Sequence, residues 1–339
     1  MSAPPAKKQK TMGINNKPPI VFNTPGYPLD VRLEVFDQDF HLSLAPLKLY
    51  SAFFRKFLDS PDKAADSGGA CTKLTYHWTT EVDGEENDTW HLCDIRKAVQ
   101  SDVTKYSGDI ELQISAFAII LSAIHAKPYS ILNFERLRLV TELADYYLAL
   151  SIVSRTLDAA LYRSQDFVAE LKDFPCEVIT AASKLRNELL FRECLPFLTG
   201  PWHQPAYLQM PKTKLRKVIH HVWLEVAAKV GETFRALTDD IEDEKRKGDN
   251  ETACIFAAGA SMQNLASSSV YVSLPRMLKE IDEKTLWKSG EFAKRMNGLL
   301  RNNLVLTSQF YAEDYLQDHF LSAAIDNEDL PWDVNEENF

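Results

Sequence analysis

The chain has 339 residues, a formal net charge of −10 and a sequence pI of about 5.4, a balance that disfavours binding to nucleic acid or to anionic membrane surfaces. Hydrophobic residues make up 45% of it and charged residues 25%, which is typical of a globular protein with a substantial core. The sequence has no run of about 20 apolar residues, so we expect no membrane span and no membrane partner.

Residues 1–26 are rich in proline, lysine and asparagine and contain few apolar residues. We expect a disordered N-terminal tail over this range. Within it, Lys7, Lys8 and Lys10 form a short basic run that is typical of a nuclear import signal. A solvated basic tail with no localisation role explains the same run, and we favour that interpretation.

A strand, a turn and a returning strand are predicted over residues 29–44. Apolar and polar residues alternate on both sides of the sequence Asp37-Gln38-Asp39, which fits a turn. The spacing then changes, and one helical face collects Leu47, Tyr50, Phe54, Phe57 and Leu58.

A second hairpin is predicted over residues 72–95, where alternating aromatic and apolar residues flank an acidic, glycine-containing turn. Helical spacing of apolar residues follows at 114–125, 134–149 and 152–161. The segment therefore combines short strands with helices.

This order of elements over residues 27–165 resembles the BTB/POZ domain, in particular that of filamentous-fungal proteins. An Ala-Phe helix at 116–125 and a Leu-Ala-Asp-Tyr run at 143–147 strengthen the resemblance. The residues that match family positions are Asp30, Phe40, Ser51, Phe54, Phe117, Asp145 and Tyr147. The resemblance implies an α+β fold in which short β-hairpins are capped by helices.

BTB domains act mostly by self-association and by recruiting other proteins. The resemblance therefore implies a non-enzymatic interaction scaffold that forms a homodimer or binds a protein partner. Family homodimers pair largely through the helix after the first hairpin, which here places Ala45, Pro46, Lys48, Leu49 and Tyr50 at the contact. Leu49 and Lys48 lie off the apolar stripe and are the better surface candidates, whereas Leu47 and Phe54 are expected in the core.

A substrate adaptor that docks on a cullin scaffold of a ubiquitin ligase is the alternative within this class. Such adaptors carry an apolar-x-Glu element after the first helical pair, and residues 59–65 contain no clear match to it. A nuclear transcription cofactor is a further alternative, which depends on the basic run near the N-terminus.

An all-α region is predicted for residues 166–325, packed against the BTB-like domain. Helical patterns cover 176–198 and 212–247, and a shorter pair lies near 271–300 and 303–325. Residues 326–339 are assigned to an acidic C-terminal tail.

The last 27 residues, from Glu313, hold nine acidic residues and no lysine or arginine. The sequence Leu330-Pro331-Trp332 places an apolar spot within this stretch. It is a candidate docking peptide for a basic groove on a partner. A disordered, solubilising tail whose tryptophan folds back on the body is the interpretation that we favour.

The sequence contains no phosphate-binding glycine motif and no nucleophile elbow. His220 and His221 are adjacent on a helix and point about 100° apart, so they cannot share a metal ion. We therefore expect no cofactor, no metal and no enzymatic activity, although the helical half could still hold an apolar ligand or a site assembled from distant residues. The cysteines form no Cys-x-x-Cys motif, so we expect free thiols in an intracellular protein of the nucleus or cytoplasm.

Overall fold

A computed structural model describes residues 17–58, 75–84, 86, 88–98, 103–247, 273–284, 291–306, 316 and 318–336. A small five-stranded sheet lies in the N-terminal part, and the later residues are mostly helical, as an α+β fold requires. The chain divides into two compact units. The first holds the described residues up to Lys127 with Tyr146–Ala149, and the second holds Pro128–Asp145 with the described residues from Leu150. This division falls earlier than the predicted boundary at 165.

The sheet belongs to the first unit and has the order β1-β3-β2-β4-β5. Its strands are β1 (Ile20–Phe22), β2 (Val31–Val35), β3 (Gln38–Leu42), β4 (Tyr76–Asp83) and β5 (Thr89–Asp94). Strands β2 and β3 pair antiparallel, as do β4 and β5, whereas β1–β3 and β2–β4 are parallel pairs. Alternate residues of each hairpin strand are buried, which is the alternation seen in the sequence.

Strand β1 corrects the predicted disordered tail of residues 1–26 at Ile20–Phe22, whereas residues 1–16 lie outside the described residues. Ile20 pairs with Phe40 of β3, and the Phe22 side chain is only 3% exposed. The Phe22 ring lies 6.3 Å from the Phe40 ring and 5.3 Å from the His125 ring. Burial of the Phe22 side chain holds this short strand against β3. The sequence does not predict it, because three apolar residues that follow two prolines form no strand pattern of their own.

The turn of the first hairpin lies at Phe36 and Asp37, before the predicted 37–39. Phe36 adopts a left-handed conformation with φ of 54°, which is uncommon for a bulky residue. Its ring packs on Trp90 and Tyr106, and its amide donates to Thr80 Oγ1 at 2.8 Å. These contacts stabilise Phe36 in the turn, a position for which phenylalanine has no intrinsic preference.

The helices of the first unit are α1 (Leu44–Tyr50), α2 (Ala52–Leu58) and α3 (Ile110–Ile124). Helix α3 packs against the sheet, since the Phe117 ring lies 5.9 Å from Phe40 and 6.0 Å from Trp90. Asp109 caps its start by accepting a hydrogen bond from the Leu112 amide at 3.0 Å.

The helices after Pro128 are α4 (Phe134–Tyr146), α5 (Leu150–Leu161), α6 (Gln165–Glu170), α7 (Pro175–Leu185), α8 (Glu188–Thr199), α9 (Lys214–Lys247), α10 (Leu274–Lys284) and α11 (Glu291–Leu299). Within the described residues, no helix is both long enough and apolar enough to cross a membrane.

Two helix predictions in the second unit differ from the structure. The predicted helix 176–198 is broken into α7 and α8, because Arg186 is left-handed and Asn187 caps α8 through the Leu190 amide. The predicted helix 303–325 is wrong for residues 303–306 and 318–325, which are not helical. Their backbone bonds instead run across the segment, as from the Asn303 amide to the Leu321 carbonyl at 3.1 Å.

Candidate interaction surface

The junction of α1 and α2 is organised by Ser51, one of the family-matching residues. Ser51 is fully buried and extended, with φ of −135°, so it ends α1 and precedes α2. Its hydroxyl donates to the Tyr147 carbonyl at 2.6 Å and accepts from the Phe54 amide at 3.2 Å. One serine therefore caps α2 and fastens the helix pair to Tyr147 of the same unit.

An aromatic cluster beneath this junction brings together four more of the family-matching residues. Tyr147 stacks on Phe54 at 5.7 Å and meets Phe117 edge-on at 5.3 Å. Phe117 in turn contacts Phe40, and all four side chains are 0% exposed. Burial raises the pKa of the Tyr147 phenol well above its usual value. The cluster fixes α1 and α2 relative to the sheet.

The two acidic family-matching residues play different structural roles. Asp30 Oδ1 accepts the Leu44 amide at 2.8 Å, which satisfies a free backbone donor at the start of α1. Asp145 lies in the second unit and pairs with Lys184 at 2.8 Å, with both side chains about half exposed. Asp145 therefore takes no part in positioning the helix pair.

The predicted interface residues lie on α1 with very different exposure. Leu49 is 63% exposed and Ala45 is exposed, and their i,i+4 spacing places them on one face of the helix. Pro46, Lys48 and Tyr50 are half-buried. Leu47 and Phe54 are fully buried, as predicted for core residues. Residues Ala45 and Leu49 are called the α1 face below.

The basic side chain of Arg55 borders the α1 face. Arg55 donates from Nε to the Lys48 carbonyl at 2.9 Å and from Nη2 to the Leu49 carbonyl at 3.1 Å, so it caps the C-terminal end of α1. Lys56 lies over the Phe57 ring, 5.9 Å from its centroid. Among the described residues, no carboxylate pairs with Arg55 or Lys56. The border is therefore positive, although the whole chain is acidic.

Phe57 was predicted on the buried stripe, but it is 38% exposed. The interruption at Ser51 shifts the phase of α2 relative to α1, so the apolar stripe does not continue in register. Phe57 packs sideways instead, 4.6 Å from Phe53, and Phe53 contacts Tyr146 at 5.9 Å.

The C-terminal segment, residues 326–336, folds back on its own unit, which agrees with the expected position of Trp332 but corrects the expectation of a disordered tail over these residues. The Trp332 ring lies 5.1 Å from the Phe191 ring of α8, and Leu330 is 7% exposed. Arg186 pairs with Glu336 at 2.6 Å. The acidic segment therefore contacts α8 through Trp332 and the residue that follows α7, Arg186, through Glu336.

The second unit also contains a groove of about 770 Å³ beside α4 and α7, a size common among ligand sites. Its lining includes Phe134, Pro175 and Met210. Each basic side chain of the lining pairs with a nearby carboxylate, through Arg138–Glu142, Lys172–Asp173 and Lys184–Asp145. The groove thus offers an apolar surface without an unpaired basic group to select an anion.

The described cysteines are held as neutral thiols. Burial, followed by the nearby Glu81 carboxylate, raises the pKa of Cys93 to about 12. Burial also raises the pKa of Cys176, and raises that of Cys194 well above its usual value. A thiolate is the nucleophilic form, so none of these three side chains is activated near neutral pH. No group of three or more His, Cys, Asp or Glu in the described part of the chain could hold a metal ion.

Lys7, Lys8 and Lys10 lie outside the described residues, so the import signal stays a prediction. Comparison of the chain with protein-family models, with curated proteins and with solved structures gave no match.

Proposed function

We propose that the protein acts as a non-enzymatic protein–protein interaction module of the BTB/POZ kind, and that it self-associates through the α1 face. The observation that carries this proposal is the exposure of Leu49 on a short helix whose Leu47 side chain is fixed in the core. A leucine that is 63% exposed beside a fully buried Leu47 gives the helix an apolar outer side. An exposed leucine alone is common on protein surfaces, but Leu49 lies in the helix pair that resembles the dimer contact of BTB domains.

The rigid attachment of α1 supports this function. Ser51, Asp30 and Arg55 each bond to the backbone at an end of α1 or α2. Interfaces are favoured when their contact residues are already held in place, because less conformational entropy is lost on binding. A second copy would bring the same face, and an isologous contact would then pair Leu49 with the partner's α1.

Light scattering coupled to size exclusion tests the proposal over a hundredfold range of concentration. The chain has a mass of 38.5 kDa, and we expect the unmodified protein at twice this value. Leu49→Asp should give the single-chain mass, because a carboxylate would be buried without a partner in the contact. Leu224→Asp is the matched control, since Leu224 is a helical leucine that is 46% exposed, and it should leave the dimer intact.

A single-chain mass for the unmodified protein at every concentration would rule out self-association. The positive charge of Arg55 at the end of α1 then favours recruitment of an acidic protein segment on the same face. Within this second candidate function, a cullin scaffold is one partner to test by pull-down. Loss of a captured partner in Leu49→Asp, but not in Leu224→Asp, would support recruitment through α1.

A further inference from the structure

Residues 326–336 contact α8 mainly through side chains. Two apolar residues of this C-terminal segment are turned inward: Leu330 is 7% exposed and Trp332 is half-buried against Phe191. The Trp332 ring meets Phe191 edge-on, with 86° between the ring planes. Aromatic pairs in this geometry stabilise beyond the area that they bury. The tryptophan therefore supplies the aromatic anchor of the segment, beside the buried Leu330.

Two arginines flank this anchor. Arg186 Nη1 lies 2.6 Å from Glu336 Oε2. Arg192 donates to the Ile325 carbonyl and, from Nη2, to Asn327 Oδ1 at 2.5 Å, while its Nε donates to Glu188 at 3.0 Å. We call Arg186, Phe191 and Arg192 the α8 surface. It combines an aromatic contact with Arg186, which pairs with a carboxylate of the segment, and with Arg192, which bonds to Asn327 and also pairs with Glu188 of α8. The aromatic contact and the Arg186 charge complement an acidic segment that carries a tryptophan.

The segment's own backbone bonds are local. The Asp329, Leu330 and Glu336 amides donate to the carbonyls of Asp326, Asn327 and Asp333, all within residues 326–336. The preceding residues differ, because the Trp202 amide donates to the Asp318 carbonyl and the Asn303 amide to the Leu321 carbonyl. Release of residues 326–336 would therefore break side-chain contacts without breaking a backbone ladder shown in the structure.

We propose that the α8 surface is a binding site for acidic peptide segments anchored by a tryptophan, and that residues 326–336 are its displaceable resident ligand. A segment tethered at residue 325 has an effective concentration on the order of millimolar at its own site. A partner segment of the same chemistry must compete with it. The site is thus occluded in the free chain and opens when the resident anchor is lost. This proposal is independent of the α1 face.

The test uses a fluorescent synthetic peptide with the sequence of residues 326–336 and full-length chains. Fluorescence anisotropy should show Trp332→Ala binding the peptide roughly tenfold more tightly than the unmodified chain. That factor follows when a roughly millimolar resident segment competes at a site with a Kd of about 100 μM. Val334→Ala is the matched control, because Val334 lies in the same segment but is 45% exposed, and this variant should behave like the unmodified chain.

Three results of the binding experiment would overturn the proposal. A folded Trp332→Ala chain that binds no peptide at millimolar concentration would show that the segment is an integral part of the fold. Equal binding by Trp332→Ala and the unmodified chain would show that the peptide uses another surface. A peptide that carries alanine at the tryptophan position should not bind, and its binding would show that the tryptophan is not the anchor.

Native-state hydrogen exchange of the unmodified chain keeps the proposal testable if Trp332→Ala does not fold. The Leu330 and Glu336 amides should exchange through a local opening that leaves the amides of α8 protected. Exchange of these amides only together with those of α8 would contradict a displaceable segment.

Discussion

The α1 face and the α8 surface both place apolar side chains beside arginine, but they differ in exposure. Leu49 on the α1 face is 63% exposed, whereas Leu330, seated near the α8 surface, is 7% exposed. Arg55 satisfies backbone carbonyls at the end of its own helix pair, whereas Arg186 and Arg192 reach residues 325–336. An apolar residue next to an arginine is thus not by itself a free binding surface. At the α8 surface, residues 326–336 fold back and cover the apolar contact.

The helix pair under the α1 face should depend strongly on Ser51. Ser51→Ala leaves the Tyr147 carbonyl and the Phe54 amide without their hydroxyl partner in a buried setting. We expect the free energy of unfolding to fall by about 2–3 kcal/mol, from the cost of unsatisfied buried groups and of a lost helix cap. Urea unfolding followed by circular dichroism measures the change.

Ser115→Ala in α3 is the control for this prediction. Its hydroxyl donates to the Leu112 carbonyl one turn earlier in its own helix, at 2.8 Å. We expect a change within about 0.5 kcal/mol, as for most substitutions away from buried networks. Equal effects of Ser51→Ala and Ser115→Ala would mean that the junction does not hold the helix pair.

Sequence reasoning located most elements of the first unit, because its strands and helices carry clear periodicity. The two hairpins and α3 follow directly from alternation and from 3.6-residue spacing. Aromatic and apolar spacing also separated the buried Leu47 and Phe54 from the exposed Leu49. Features set by one tertiary contact were missed, among them β1, which is held by Phe22, and the turn at Phe36.

The candidate site was predictable only in part, because several of its contacts also join residues that are far apart in the sequence. Ser51 was recognised by resemblance, but its bond to Tyr147 joins residues far apart in sequence and no local pattern encodes it. Arg55 looked like one charge on a helix, and its capping of α1 depends on the break between the helices. In the second unit, the break at Asn187 was missed because an asparagine cap also fits a helix surface. The contact of Trp332 with Phe191 was favoured in general terms, but its partner could not be named.

Histidines in the two units should give the chain a shared dependence on pH. Burial lowers the pKa of His125 and of His319 to about 4, from an ordinary value of 6.5. Between about pH 6.5 and pH 4 the unfolded chain binds protons that the folded chain does not, so the free energy of unfolding falls as pH falls through this window. After allowance for partial exposure, we expect about 1–2 kcal/mol for each histidine.

The two histidines differ in their charged neighbours, and this difference allows the pH dependence of the first unit to be distinguished from that of the second. Lys127 further lowers the pKa of His125, whereas Asp318 opposes the effect of burial at His319. Added salt should therefore reduce the contribution of His125 and increase that of His319. Urea unfolding of His125→Gln and His319→Gln between pH 7 and pH 4, at low and high salt, measures both slopes. An unchanged slope in both variants would contradict the assignment.

The ion pair at the α8 surface should have the smallest effect. Glu336 is half exposed, and its pair with Arg186 is screened by water, so Glu336→Gln should lower the free energy of unfolding by at most about 0.5 kcal/mol. Glu328→Gln, which alters an exposed carboxylate of the same segment, is the control, and thermal unfolding in 0.1 M and 1 M salt is the measurement. A loss above about 1 kcal/mol that disappears at high salt would mean that charge, rather than the packing of Trp332 on Phe191, holds the segment. The α8 surface would then select its ligand by acidity alone, and the contrast with the apolar α1 face would be one of chemistry as well as of exposure.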